Sequence, residues 1–261
     1  MSYYALSYYL VQIAIPAPYK WKGVLSLKRK INLWVFVPFY AMVFLSVTIL
    51  ALLGSRAITV FTETTPLSDR HCIIIDAGHG GVDGGATSCS GVLESNINLE
   101  IALRLNDLLR FLGYDTKMVR TTDISVYTEG ETIAAKKVSD LKERVRFVNT
   151  TPNALLISIH QNYYSDSRYS GAQVFYPVTE GSEQLAKKMQ INIVSALNEG
   201  SRRQSKKASG IYLLEHIACT GVLVECGFLS NPIEEAKLLS GEYQKHLCGV
   251  IAVSICNYLN T

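Results

Sequence analysis

Short β-type runs alternating with helical patterns, in a chain that is 48% hydrophobic, predict an α/β protein. The expected architecture is a single mixed, mostly parallel sheet of about six strands flanked by helices. A charge-free stretch at residues 31–55 predicts one transmembrane helix ahead of it. With 261 residues, 18% of them charged, the chain is long enough to bury one sizeable core. Its net charge of +3 is too small to argue for a nucleic-acid partner.

The first element is "INLWVFVPFYAMVFLSVTILALLGS", residues 31–55, longer than the roughly 20 residues that span a bilayer. Lys20, Lys22, Lys28, Arg29 and Lys30 precede it, and only Arg56 follows before Arg70. The positive-inside rule then places residues 1–30 in the cytoplasm and the bulk of the chain outside. A cleaved signal peptide is the competing reading, but its apolar region would be shorter, roughly 7 to 15 residues, and no clean small-x-small cleavage site follows. Residues 56–69 read as a polar linker, and the globular domain occupies 70–261.

Within that domain the predicted strands are Cys72–Asp76, Tyr114–Val119, Ala154–His160, Ala172–Tyr176, Ile211–Leu214 and Val222–Glu225. Helical spacing recurs in Ile97, Ile101, Leu105, Leu108 and Leu112, and again in Leu247, Val250, Ile251, Ile255 and Leu259. Both stripes are explained as core. The span Ile124–Asp140 reads as irregular, a flexible insertion beside a cleft.

"CIIIDAGHGGVDGGA", residues 72–86, sets a histidine and two aspartates in a glycine-rich bend directly after an apolar strand. A dinucleotide fingerprint fails, because Asp83 stands where the third glycine belongs, and a phosphate loop fails, because Ala86 stands where lysine must be. What remains is a sharp turn that leaves His79 at the carboxyl end of a strand, the edge where ligands bind in open α/β sheets. His160 ends the apolar run "ALLISIH" at the same edge. Glu94 precedes Ile97 by three residues and Ile101 by seven, which puts a carboxylate on the buried face at the head of its helix. Burying it unpaired costs several kcal/mol, so a cation or donors must meet it. Glu225 ends "GVLVE" and is the third polar group at a strand end. Two histidines and one carboxylate are the ligand set of a catalytic zinc site with a position open for water, and a further glutamate supplies the base such a site needs. Spacing leaves open which glutamate is the ligand.

At these residues the chain resembles the zinc-dependent N-acetylmuramoyl-L-alanine amidases, hydrolases that cut between muramic acid and the first alanine of the peptidoglycan stem peptide. The resemblance runs from His71 to Leu259 and is carried by "DAGHGGVDGGA", "GVLESNINLEIALRL", "VRTTD", "LKERVRFVN", "ALLISIHQN" and "GVLVECGFLSNPIEEAKL". It implies that His79, Glu94 and His160 hold Zn2+ and that Glu225 is the general base. It also implies that the bend's glycines let glycan or peptide approach the backbone. Ala77 stands where the family has proline, and Tyr163 follows "HQN" where the family has a small residue, which would narrow the cleft. With "GAQVFYP" and "YLLEHI" the chain is most similar to the germination-specific branch, which removes stem peptides from spore cortex before muramic lactam is made. The partner so implied is peptidoglycan; the charge-free segment at 31–55 adds the membrane, and whether an accessory spore protein takes part is not readable from the sequence.

The six cysteines, at 72, 89, 219, 226, 248 and 256, contain no C-x-x-C and read as buried thiols more than disulfides. His71, His216 and His246 read as ordinary structural or surface residues. Two other functions compete. A carboxypeptidase-like zinc peptidase would need a cationic clamp for a terminal carboxylate, for which Arg120, Arg144 and Arg146 are available; an inactive wall-binding protein would have no use for intact ligand and base positions.

Overall fold

The computed structural model describes residues 37–61 and 71–260, the side chains of 50–61 excepted. The chain divides into two compact units between Thr64 and Thr65. The first contains α1, Val37–Phe61, on which Phe39, Met42 and Phe44 are exposed. Among the described residues no helix is long and apolar enough to cross a membrane. The predicted span 31–55 lies partly outside those residues, and the basic segment before it lies wholly outside.

The second unit runs β1 (Cys72–Ala77), α2 (Glu94–Phe111), β2 (Asp115–Met118), α3 (Ile133–Asn149), β3 (Ala154–Asn162), β4 (Gln173–Tyr176), α4 (Ser182–Leu197), β5 (Lys206–Lys207), α5 (Tyr212–His216), β6 (Thr220–Phe228), α6 (Pro232–Leu238) and α7 (Gly241–Leu259). Its six-stranded sheet has the order β2-β1-β3-β6-β4-β5. The first four of these strands are mutually parallel, β4 runs antiparallel to β6, and β5 is parallel to β4. The sheet is mixed and mostly parallel, as the sequence predicts.

Unbroken apolar runs such as "CIII" and "ALLISI" suit strands buried on both faces. Ile73, Ile75, Leu155, Ile157, Val222 and Val224 join one core with Ile97, Ile101 and Leu105 of α2, Leu185 and Met189 of α4, and Leu247, Ile251 and Ile255 of α7. Ile74, Leu156 and Leu223 point the other way and pack with Val148 of α3 and Leu213 and Leu214 of α5. Burying each such side chain contributes about 1.5–3 kcal/mol, so the alternation fixes which residue faces which side.

Four expectations about elements are corrected. Ile211–Leu214 is not a strand: Gly210 takes a φ of 73°, its N–H donates to the Glu215 carboxylate, and the short helix α5 follows. Helical spacing lets Leu213, Leu214 and Ile217 enter one cluster together. The span Ile124–Asp140 is not a flexible insertion, because α3 begins within it at Ile133, capped by the Thr132 hydroxyl, and the Val126 and Thr128 N–H groups bond to Asp140 and Ser139. β5 was not expected, since two exposed lysines carry no strand pattern. Finally, β3 and β6 run past His160 and Glu225 to Asn162 and Phe228, with a register shift between His160 and Asn162. All six cysteines are free thiols; Cys72, Cys226 and Cys248 are buried and Cys89 is exposed.

Candidate metal centre

The site grows from the bend after β1. His79 sits at a φ of 59°, a left-handed backbone that costs a non-glycine residue roughly 1–2 kcal/mol. Its surroundings hold it there. The Ala77 carbonyl accepts from Arg120 Nε at 2.8 Å and Arg144 Nη1 at 2.9 Å, and the His79 carbonyl accepts from Arg144 Nη2 at 2.7 Å. The Gly78 carbonyl accepts from Arg120 Nη2 and Asn98 Nδ2, both at 3.1 Å, and the Gly80 carbonyl from Ser125 Oγ at 2.5 Å. The Gly80 carbonyl also accepts from the Asp83 N–H at 3.1 Å, so the whole bend is tied down through its main-chain carbonyls.

Arg144 is itself buried and pairs with Asp76 and, at 2.6 Å, with Asp140. Burial pushes the Asp76 carboxyl up, but the Arg144 charge and the Ser158 hydroxyl outweigh it and hold it below the usual carboxylate range. Arg144→Met leaves Asp76 buried without its cation. The expected loss is about 3–5 kcal/mol of unfolding free energy, read from denaturant titration; a loss under about 1 kcal/mol excludes this role.

Glycines in the bend make room for the site's own side chains. A Cβ on Gly78 would lie 2.2 Å from His160 Nε2, and one on Gly85, whose φ is 69°, would lie 2.6 Å from Glu94 Oε2. At these two positions the missing Cβ is what lets His160 and Glu94 approach the bend.

Glu94 is the first residue of α2 and is buried. Its Oε2 accepts from the Ala86 N–H at 3.0 Å and lies 3.3 Å from His79 Nε2. Its Oε1 accepts from the Gln161 N–H at 3.1 Å and Asn98 Nδ2 at 3.2 Å, and lies 3.1 Å from His160 Nδ1. The two imidazole rings are 5.0 Å apart at 72°. One ligand atom from each of His79, Glu94 and His160 lies within 4.8 Å of the others, so the three form a group able to hold a metal ion. His79 Nδ1 meets Asp83 Oδ2 at 2.8 Å, the carboxylate–histidine arrangement that orients a metal-binding imidazole.

The electrostatics favour a cation here. Burial lowers the His79 pKa, but hydrogen bonds with Asp83 and Glu94 outweigh it and raise the value to about 9. Burial raises the Glu94 pKa, yet hydrogen bonds with His160 and His79 hold it far below the carboxylate range. Asp83 is likewise depressed by its bond to His79. The carboxylates of Asp83 and Glu94 that favour a proton on His79 would also favour a metal cation in the proton's place.

Glu225 is the register partner of His160 on the adjacent parallel strand, so both side chains leave the same face of the sheet. Its Oε2 is buried with no hydrogen-bond partner, and burial drives its pKa up to about 7. A carboxylate at that value both takes and returns a proton near neutral pH.

The structure thus brings together all four residues singled out from the sequence. It adds Asp83, Asn98, Arg120 and Arg144, which position them. Each lies inside a quoted motif, but only the fold shows that Asn98 and Arg120 converge on the Gly78 carbonyl. Arg120 and Arg144 are committed to the bend and Arg146 is exposed beside Glu143, so none of the three serves as a clamp for a terminal carboxylate. Tyr163 is exposed. His71, His216 and His246 are also exposed.

Comparison with known proteins converges on one chemistry. The family model described as N-acetylmuramoyl-L-alanine amidase matches residues 73–257. The germination-specific N-acetylmuramoyl-L-alanine amidase of Bacillus subtilis is 37% identical over 195 residues, 74% of this chain and 81% of that protein. The CwlD amidase of Clostridioides difficile, solved in complex with the GerS lipoprotein, superposes with a TM-score of 0.70 at 35% identity, covering 73% of this chain and 99% of that one. A second amidase structure, from Clostridium difficile 630, gives a TM-score of 0.65 at 30% identity, covering 74% and 99%. By fold, by sequence and by the groups gathered at its sheet edge, the chain belongs to the N-acetylmuramoyl-L-alanine amidase family.

Proposed function

We propose that this amidase is zinc-dependent and cuts the bond between N-acetylmuramic acid and L-alanine on spore-cortex peptidoglycan, preparing the stripped muramic acid for lactam formation. The observation that carries the reading is the His79–Glu94–His160 group beside Glu225, a carboxylate with one buried, unpaired oxygen. The donor set fits zinc: two imidazoles and one carboxylate are the protein ligands of catalytic zinc sites, and His79 is oriented by Asp83. Zinc bound there supplies a Lewis acid and makes water acidic near neutral pH. Glu225 takes the proton from the attacking water and delivers it to the departing alanine nitrogen. The Ala86 and Gln161 N–H groups and Asn98 hold the Glu94 carboxylate in place.

The test is mass spectrometry of cortex and wall peptidoglycan after incubation with the zinc-loaded chain. Free peptides beginning with L-alanine and muramic acid without stems are expected. Release of a free terminal amino acid with stems still attached is the carboxypeptidase outcome and overturns the reading.

We further propose that residues 31–55 anchor the chain with its catalytic domain outside the cytoplasm. Their freedom from charge, the basic residues before them and the exposed Phe39, Met42 and Phe44 of α1 support this. The chain then stays with membranes after alkaline carbonate washing and keeps residues ahead of 31. A soluble form beginning near Ala57 reverses the assignment in favour of a cleaved signal. The Clostridioides difficile relative's complex with a lipoprotein supports an accessory partner of that kind. Cross-linking within the same membrane extract tests it.

A further inference from the structure

We propose that Tyr163, Tyr164 and Tyr169 form a stacking platform for sugar rings of the glycan strand that flank the muramic acid being stripped. The proposal rests on the amidase reading and adds a binding surface to it. The three tyrosines lie on the connection from β3 to β4 and are 55%, 49% and 47% exposed, far from core values. Their position follows from the sheet. Tyr163 comes three residues after His160, and Asn162 pairs in register with Phe228, itself three residues beyond Glu225. Three strand residues span about 10 Å, so the connection starts about that far from the ligand and base positions, at the same sheet edge.

The connection is ordered by polar contacts, with its tyrosines left outward. The Tyr164 N–H donates to Ser230 Oγ, Asn231 Nδ2 donates to the Tyr169 carbonyl, Arg203 Nε donates to the Ser170 carbonyl, and the Gly171 N–H donates to Glu234. The Tyr164 and Tyr169 rings meet at 4.5 Å edge to face, and Tyr169 leans on the buried Phe228 at 6.1 Å, with the Arg203 guanidinium over that Phe228 ring. The Tyr164 and Tyr169 rings, fixed in this way, lose little entropy when a ligand settles on them, and Tyr163 is the exposed chain neighbour of Tyr164. Tyrosine gives an apolar face and a hydroxyl at once, which suits a pyranose, whose carbon-bound hydrogens form flat patches edged by hydroxyls. The amide cut by this enzyme hangs from one sugar of a polymer, so neighbouring sugars must cross the rim of the site. That necessity favours glycan over a protein partner as the occupant.

The test measures calorimetric binding of glycan strands from which every stem peptide has been removed, using the full chain in detergent. Such strands lack the scissile amide, so binding reads the platform whether or not the chain cleaves peptidoglycan. The Tyr163→Ala/Tyr164→Ala pair is expected to weaken binding about tenfold, or 1.4 kcal/mol shared by two rings. The Tyr163→Phe/Tyr164→Phe pair restores it, and all forms melt at the same temperature. In parallel, KM for stem-bearing strands rises in the alanine pair with kcat within about twofold. Glycan binding unchanged in the alanine pair, as a surface for another protein predicts, overturns the proposal. So does failure of the phenylalanine pair to restore binding.

Discussion

Glu225→Gln keeps the fold and the metal and lowers amide cleavage by about 10²- to 10⁴-fold, the usual contribution of a positioned acid and base. The substitution is nearly isosteric. It also removes a carboxylate that burial disfavours, since one Glu225 oxygen has no partner and the pKa is raised to about 7, so stability should not fall. What disappears is the only group in the cluster that is both able to carry a proton and free of structural duty: Glu94 is held by two backbone amides, Asn98 and both histidines, and Asp83 by His79 and Lys137. The pH profile supplies a second readout. A base works only when ionised, so activity falls as pH drops through the Glu225 pKa; a dication nearby stabilises the ionised form, which places that limb below 7. In the glutamine variant the limb vanishes from whatever turnover remains. Retained activity within tenfold of the parent assigns the base elsewhere.

What the sequence reveals depends on whether a residue's surroundings are apolar. β1 and β3 are legible because buried parallel strands need unbroken apolar runs, and their polar ends, His79 and His160, stand out against those runs. Glu94 is legible because it shares a face with Ile97 and Ile101, which pack in the core. α3 is obscured because its buried face is largely polar: Ser139, Asp140 and Arg144 are buried alongside Val148, and they serve the bend and the segment before the helix. No hydropathy pattern distinguishes such a face from solvent. Ile211–Leu214 misleads for the opposite reason, since four apolar residues in a row satisfy a strand and a one-turn helix equally, and the glycine ahead of them decides. Arg120 is similar. Its role consists of bonds to four main-chain carbonyls, of Ala77, Gly78, Ser95 and Thr122, and main-chain partners leave no trace in side-chain order.

Loss of the metal separates the ligands from their supports. His79→Ala and His160→Ala are each expected to abolish zinc binding and activity together, because two remaining donors do not hold a tetrahedral site. Glu94→Gln should weaken the metal before it affects the chemistry: the amide keeps the hydrogen-bond shape but withdraws the negative charge that lies between the two imidazoles. Asp83→Asn is the graded case. It leaves all three ligands in place and loosens only the hold on His79 Nδ1, so zinc affinity falls about 10- to 100-fold while saturating zinc restores turnover. Zinc per chain, measured by atomic absorption after dialysis against buffers of fixed free zinc, orders the four variants. Full occupancy in the His79→Ala/His160→Ala double variant removes the assigned centre altogether. If Glu225→Gln loses zinc while Glu94→Gln keeps it and loses only turnover, the two glutamates have exchanged roles. The geometry argues against that exchange, because Glu94 Oε1 and Oε2 each lie within hydrogen-bond reach of one imidazole, whereas the buried oxygen of Glu225 has no hydrogen-bond partner.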